Sequence, residues 1–417
     1  MATCSNPAAA PGAPNYTGPF ITVAILFGIF GFLTSLNNVL VAKLEAVFRL
    51  EHGPAMLATA AWFFAYLVFS VPSAKVIEAV GYKRTMVISL FVMVAGALLF
   101  VPAANRVSFS LTLFAIFVLA SGVCGLQTSA NPYVSILGPE RSAPARLTLA
   151  QAVNSIGSLA GPLVAGRFIL SDLNKTSNSA ATAHMLQGPY IAIAVALLLL
   201  GFAVMLMHLP AIVMTREFRP GAGAGPVLER NIWTFPHTVL GMVGIFFYVG
   251  VEISLVSITI QFCLGQGMSK VETASLMVSL FYLGMMAGRL FGSAIMVWIK
   301  AGKLLVFLGL CGVALLCAAM TTHGTAAIAC LVLTGLACSI MYPTIFALGV
   351  AELGPLTSKG SGVLTIGNVG GAIIPPLFGL LADKTSIQYA FIIPLIGFLY
   401  VAYYGLWGHK PTRPAAA

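Results

Sequence analysis

The stretch FSLTLFAIFVLASGVCGLQTSANPYVSIL, Phe109 to Leu137, carries no charged residue and is long enough to cross a bilayer. A membrane-spanning helix needs about 20 mainly apolar residues. Inside the run lie two amides, Gln127 and Asn131, one helical turn apart. A polar side chain at that depth costs free energy unless it faces protein or a water-filled path. The same pattern recurs along the chain, placing Asn37, Asn38, Gln151, Asn154, Glu252 and Asn368 within apolar runs. Buried amides with one carboxylate imply a pathway for a polar solute.

Working outward from this stretch, apolar runs bounded by charges, Pro and Gly predict about twelve spans. They cover 20–43, 55–78, 83–104, 109–137, 146–170, 188–210, 236–264, 271–298, 303–321, 325–351, 359–382 and 387–408. Only 8% of the residues are charged and the mean hydropathy is +0.98. With no water in the bilayer core, each span satisfies its own backbone as a helix. Short alternating strands of a transmembrane barrel are missing from the sequence. The expected fold class is therefore an all-α integral membrane protein.

Thirteen of the 21 basic residues fall on one side of these spans, among them Lys75, Lys83, Arg84, Arg141 and Arg146. The basic-rich side is expected to be cytoplasmic, which puts both termini inside and the protein in the cell's inner membrane. The net charge of +10 thus reads as topology. A nucleic-acid partner would need a basic soluble face, and the spans leave none. Residues 1–19 read as a disordered tail, 20–210 as one six-helix half, 211–235 as a cytoplasmic linker, 236–408 as a second half, and 409–417 as a C-terminal tail.

The halves repeat each other. Gly28-Ile29-Phe30 returns as Gly244-Ile245-Phe246. Pro132 and Leu137-Gly138 return as Pro343 and Leu348-Gly349. Asn154, Gly157, Pro162 and Leu163 return at one constant offset as Asn368, Gly371, Pro376 and Leu377. Two similar six-helix halves joined by a polar loop are the plan of the major facilitator superfamily, whose substrate site lies between the halves near the midplane.

Longer motifs sharpen that resemblance. Gly125-Leu126-Gln127-Thr128-Ser129-Ala130-Asn131-Pro132-Tyr133 and Arg146 through Gly157 resemble the fucose–galactose–hexose transporter family, nearest its bacterial glucose/galactose branch. So do Tyr248-Val249-Gly250-Val251-Glu252, Gly288-Arg289-Leu290-Phe291-Gly292-Ser293, Met341-Tyr342-Pro343-Thr344-Ile345-Phe346 and Gly360-Ser361-Gly362-Val363-Leu364. The resemblance implies alternating-access transport of a hexose such as glucose or galactose. It also implies gating roles for Arg84, Gly288 and Arg289. Two further readings are a carrier of a related neutral sugar, an N-acetylhexosamine or deoxysugar coupled to protons or sodium, and a membrane sugar sensor without flux.

Two departures bear on coupling. Asn38 stands where the family's proton-coupled carriers have Asp, and Gln127 where they have Glu. An amide cannot exchange a proton, and Asn38 resembles a permanently protonated acid. Glu252 is the one carboxylate left deep in a span, read as a sugar ligand, a protonation site or the partner of Arg289. The expectation therefore leans to facilitated diffusion over symport through Glu252, with Asn38 and Glu252 the coupling positions.

The expected substrate contacts are Asn37, Asn38, Gln127, Asn131, Gln151, Asn154, Glu252, Tyr342 and Asn368. Gln151 and Asn154 lie three apart, on one helix face. An amide both donates and accepts, as a sugar hydroxyl does, which suits an uncharged polyol. The competing role for each amide is an interhelical bond that glues spans together. The seven Cys and six His residues lack metal-ligand spacing, and no nucleotide motif or catalytic triad pattern occurs. The expectation is a non-enzyme, acting as a monomer, whose partners are a neutral monosaccharide, the lipid bilayer and a coupling proton or sodium at most. No cofactor, metal or nucleic acid is expected.

Overall fold

The computed structural model describes residues 17–47, 52–168, 187–207 and 231–411. The first half contains α1 (Thr17–Val47), α2 (His52–Val80), α3 (Tyr82–Asn105), α4 (Phe109–Ile136), α5 (Ala143–Phe168) and α6 (Gln187–Leu206). The second contains α7 (Pro236–Gly265), α8 (Val271–Ile295), α9 (Ala301–Thr321), α10 (Gly324–Cys338), α11 (Met341–Gly349), α12 (Thr357–Ile366), α13 (Gly370–Lys384), α14 (Ile387–Ala390) and α15 (Ile392–Tyr403). Among the described residues ten stretches are long and apolar enough to span, and α1 and α5, of 31 and 26 residues, pack beside them. The chain is a helical membrane protein.

Three expected spans are broken. The tenth stops at Cys338 and restarts at Met341, because Pro343 has no N–H for the carbonyl four residues earlier, Ser339. The eleventh passes through a 3₁₀ turn at Gly367–Val369, and the twelfth through Phe391 into a π turn, Tyr404–Gly408. The eighth ends at Ile295, three residues before the expected Trp298, and Val297 and Trp298 form a turn. At the other end of the chain, α1 begins at Thr17, inside the expected tail. Residues 211–230 of the expected linker lie outside the described residues, and Ile232–Thr234 form a 3₁₀ turn.

Packing repeats as the sequence does. In the first half α1 packs on α5, α3 on α4 and α6, and α2 on α4; in the second α7 packs on α13, α9 on α10 and α15, and α8 on α10. Glycine makes the α1–α5 and α7–α13 contacts backbone to backbone. A Cβ on Gly157 would lie 1.9 Å from the Gly28 oxygen, and one on Gly370 would lie 1.9 Å from the Phe246 oxygen. Such small-residue contacts let helices associate in lipid, where no hydrophobic drive pulls them together.

The halves meet symmetrically too. Helix α5 packs on α8 and α11, while α2 and α4 pack on α12.

Because a backbone oxygen cannot turn aside, Gly370→Ala should destabilise the protein by about 1–3 kcal/mol or more. Gly379→Ala, where a Cβ meets open space, should change little. Thermal unfolding of the two purified variants checks this; equal midpoints would contradict the backbone contact.

Candidate functional site

Polar contacts close the seam between the halves at the end holding the α2–α3, α4–α5 and α11–α12 connections. There Glu78 accepts from Ser358 Oγ at 3.2 Å and lies 3.8 Å from Lys359 Nζ. Glu140 Oε1 accepts from the Glu352 N–H at 2.8 Å. Both groups are exposed enough that each contact contributes under about 1 kcal/mol. Arg146 stays within its own half, donating to the Ser135 and Pro139 carbonyls at 2.6 and 2.8 Å and closing the C-terminal turn of α4.

Deeper, the seam is built on prolines. Pro132 cannot donate to Thr128, four residues earlier, so that carbonyl is free. Ser361 Oγ, from the opposite half, donates to it at 2.6 Å. Pro343, the repeat counterpart of Pro132, frees Ser339, and Arg289 Nε donates to that oxygen at 3.1 Å. Arg289 also crosses the seam, its Nη1 donating to the Gln151 carbonyl at 3.2 Å and to Ser155 Oγ. Gly288 makes this possible, since a Cβ there would lie 2.4 Å from Ser339 Oγ.

At the centre, neutral polar groups run from one half to the other. Gln151 Nε2 faces Asn131 Oδ1 at 3.5 Å, and Asn131 Nδ2 faces the Tyr342 hydroxyl at 3.5 Å. Asn368 adjoins the same hydroxyl and anchors its own Nδ2 on the Thr365 carbonyl at 2.9 Å. These four side chains are buried. Their mutual contacts sit at the long limit of hydrogen bonding, so little is lost when a ligand replaces them. Tyr248 and Phe346 flank Tyr342, ring centroids 6.1 and 6.2 Å away. Across the seam lie Tyr66 and Phe63, whose ring would meet a Cβ on Gly371.

The other expected site residues separate. Gln127 borders a cavity of about 10 Å³, room for one water, with Leu26, Phe27, Phe30, Leu126 and Ala130. Its Oε1 is buried there without a hydrogen-bond partner. Asn154 commits its Nδ2 to the Phe27 carbonyl at 2.9 Å, tying α5 to α1. Asn37 and Asn38 belong to α1, but their side chains lie outside the described residues. Arg84 is exposed in the first turn of α3, away from the seam's centre.

Glu252 is half-buried midway along α7, facing Tyr248, Tyr282, Arg289, Cys338 and Tyr342. Of the three readings of Glu252, the ion pair with Arg289 does not form: among the described residues the ion pair is Glu78–Lys359. Arg289's donors go instead to the neutral oxygens above and to Met285 Sδ at 3.3 Å.

Ser155, Ser361 and Ser339 carry the seam, and sequence reasoning did not single them out as site residues. The signal was present in Pro132 and Pro343, each of which announces a carbonyl in need of a donor. Phe63 was likewise missed, while its neighbour Phe64 is exposed on the outer surface.

Comparison with known proteins agrees with this architecture. The profile of the Major Facilitator Superfamily matches residues 20–368. A glucose/galactose transporter of Brucella abortus biovar 1 is 40% identical over 399 residues, 95% of each chain. A putative glucose/galactose transporter of Helicobacter pylori J99 is 34% identical, covering 93% of this chain and 96% of that one. Among solved structures, that of the superfamily transporter FucP in the outward conformation superposes with a TM-score of 0.85 at 28% identity, covering 95% of this chain and all of that one. The chain belongs to the major facilitator superfamily and is a multi-pass membrane transporter.

A double-mutant cycle tests the proline-freed carbonyl. Ser361→Ala strands the Thr128 oxygen and should destabilise by about 0.6 kcal/mol and at most about 1.7. Pro132→Ala restores the helix's own donor, so the Ser361→Ala step should cost less in that background. Thermal unfolding of the four proteins measures the difference, and strict additivity would refute the pairing.

Proposed function

We propose that this transporter carries a neutral hexose, glucose and galactose first, across the inner membrane by alternating access. The observation that carries the reading is the line Gln151–Asn131–Tyr342–Asn368, to which each half contributes two members. Amide and phenol groups offer donors and acceptors without charge, which matches a ring of hydroxyls and disfavours an ion. The flanking rings of Tyr66, Tyr248 and Phe346 offer apolar faces for sugar C–H surfaces. The names of the Brucella and Helicobacter relatives point the same way.

Alternating access follows from the seam. Contacts at its closed end are polar and individually weak, whereas the α1–α5 and α7–α13 contacts within each half pass backbone to backbone. Rocking therefore breaks the former and keeps the latter. That end carries Lys75, Lys83, Arg84, Arg141 and Arg146, so the positive-inside rule makes it cytoplasmic, with both termini inside. In that orientation the structure is closed inward. The carrier acts as a monomer, since each half already supplies what the other's site lacks.

Purified protein in liposomes should exchange labelled glucose or galactose in counterflow, with unlabelled sugar competing. A sensor without flux would bind sugar and exchange none. Tyr342→Phe, Asn131→Ala and Gln151→Ala should each weaken binding by a few-fold to tenfold, since one hydrogen bond contributes about 0.5–1.5 kcal/mol. Exchange of N-acetylhexosamine or deoxysugar alone would move the substrate class, and binding of an organic anion but no neutral sugar would sink the proposal.

A further inference from the structure

Arg289 is held at one end and shared at the other. Its Nε is fixed on the Ser339 carbonyl, which belongs to its own half and is free because of Pro343. Its Nη1 depends on the Gln151 carbonyl and Ser155 Oγ, which belong to the opposite half. These two acceptors are neutral and remain in reach only while this end of the seam is closed. A guanidinium prefers a carboxylate to neutral oxygens, because charge-assisted hydrogen bonds are roughly twice as strong. The carboxyl of Glu252 adjoins Arg289 without forming an ion pair with it, and accepts a hydrogen bond from the Tyr248 hydroxyl.

The groups around Glu252 limit what it can do. Tyr248 faces it from its own helix, Tyr282 and Arg289 from α8, Cys338 from α10 and Tyr342 from α11. Among these described groups Arg289 is the one cation. With the donors of Arg289 spent on Ser339, Gln151 and Ser155, an ionised Glu252 would lack a directly bonded cation in a low-dielectric interior, which disfavours it. The acid form avoids that cost. Once the halves part at this end, Nη1 loses both acceptors while Nε keeps its pivot, and the fork is free to turn to Glu252.

We propose that Arg289 is handed from α5 to Glu252 as the halves rock, so that Glu252 binds and releases one proton per transport cycle. In the seam-closed state Glu252 is a neutral acid loaded from the side opposite the closed seam. Opening the seam pairs it with Arg289, the O–H bond breaks, and the proton leaves to water on the newly opened side. Arg289 stays cationic throughout, so one proton crosses with each sugar. The inference rests on the hexose-carrier reading for its cargo. It places coupling in the second half, against the expectation of facilitated diffusion drawn from Asn38 and Gln127.

Two experiments on the reconstituted full chain test this. In liposomes with the membrane potential clamped, the unmodified protein should accumulate labelled galactose up to about tenfold per imposed pH unit. Glu252→Gln should abolish accumulation yet keep counterflow, and should flatten counterflow's dependence on pH. Active counterflow without accumulation in the unmodified protein, or undiminished accumulation in Glu252→Gln, would overturn the proposal and leave the hexose reading standing. No counterflow with any sugar would overturn the hexose reading alone, because the second experiment needs no sugar. In infrared titration, a protonated-carboxyl band absent from Glu252→Gln should lose intensity as pH rises. Ser155→Ala, which loosens the latch and leaves Glu252 in place, should move that midpoint to lower pH, since an earlier-released Arg289 favours the carboxylate. An unmoved midpoint would overturn the hand-over, including the case in which Glu252→Gln fails to fold.

Discussion

A backbone carbonyl without a donor is unfavourable in hydrocarbon, and this protein is organised around two of them. Pro132 and Pro343 stand at repeat-related positions and free the oxygens of Thr128 and Ser339. The first is satisfied by Ser361 across the seam and the second by Arg289. Both prolines therefore convert a local defect into a long-range contact. Through Ser361 the halves are registered against each other. Through Arg289 a cation is brought to the midplane and aimed at the opposite half.

The repeat supplies the frame, and departures from it supply the chemistry. Glycine at 28, 157 and 370 packs α1 on α5 and α7 on α13 so closely that backbone meets backbone within each half. On that matched frame the polar residues diverge. The first half contributes Gln151 and Asn131, the second Tyr342 and Asn368, and their chain closes only when the halves meet. Asn154 and Asn368 occupy equivalent repeat positions yet do different work. Asn154 holds Phe27 on the neighbouring helix, while Asn368 turns to Tyr342.

Strength is graded to suit motion. Contacts inside a half involve backbone that cannot yield. The exposed contacts across the seam are single hydrogen bonds and one ion pair, each contributing about 1 kcal/mol or less. Deeper in the seam, Arg289 adds charge-assisted bonds to Gln151 and Ser155. A few such bonds hold one state without trapping it, which a carrier with two accessible states requires.

Much of this was written in the sequence, because hydrocarbon enforces it. Apolar run lengths fixed the number and order of spans, and the family motifs in the fourth and fifth spans identified the amides that the seam gathers. Helix interruptions at Ser339 and Gly367 were hidden, since a broken span is as apolar as a continuous one. Partner choice was hidden too. Glu252 and Arg289 are the two deep charges, and pairing them is the natural sequence inference. Tertiary packing instead brought Ser155 and the Gln151 carbonyl to the guanidinium. Hydropathy and spacing measure how deep a residue lies; which oxygen a donor meets depends on how two helices from different halves approach, and only the folded bundle decides that.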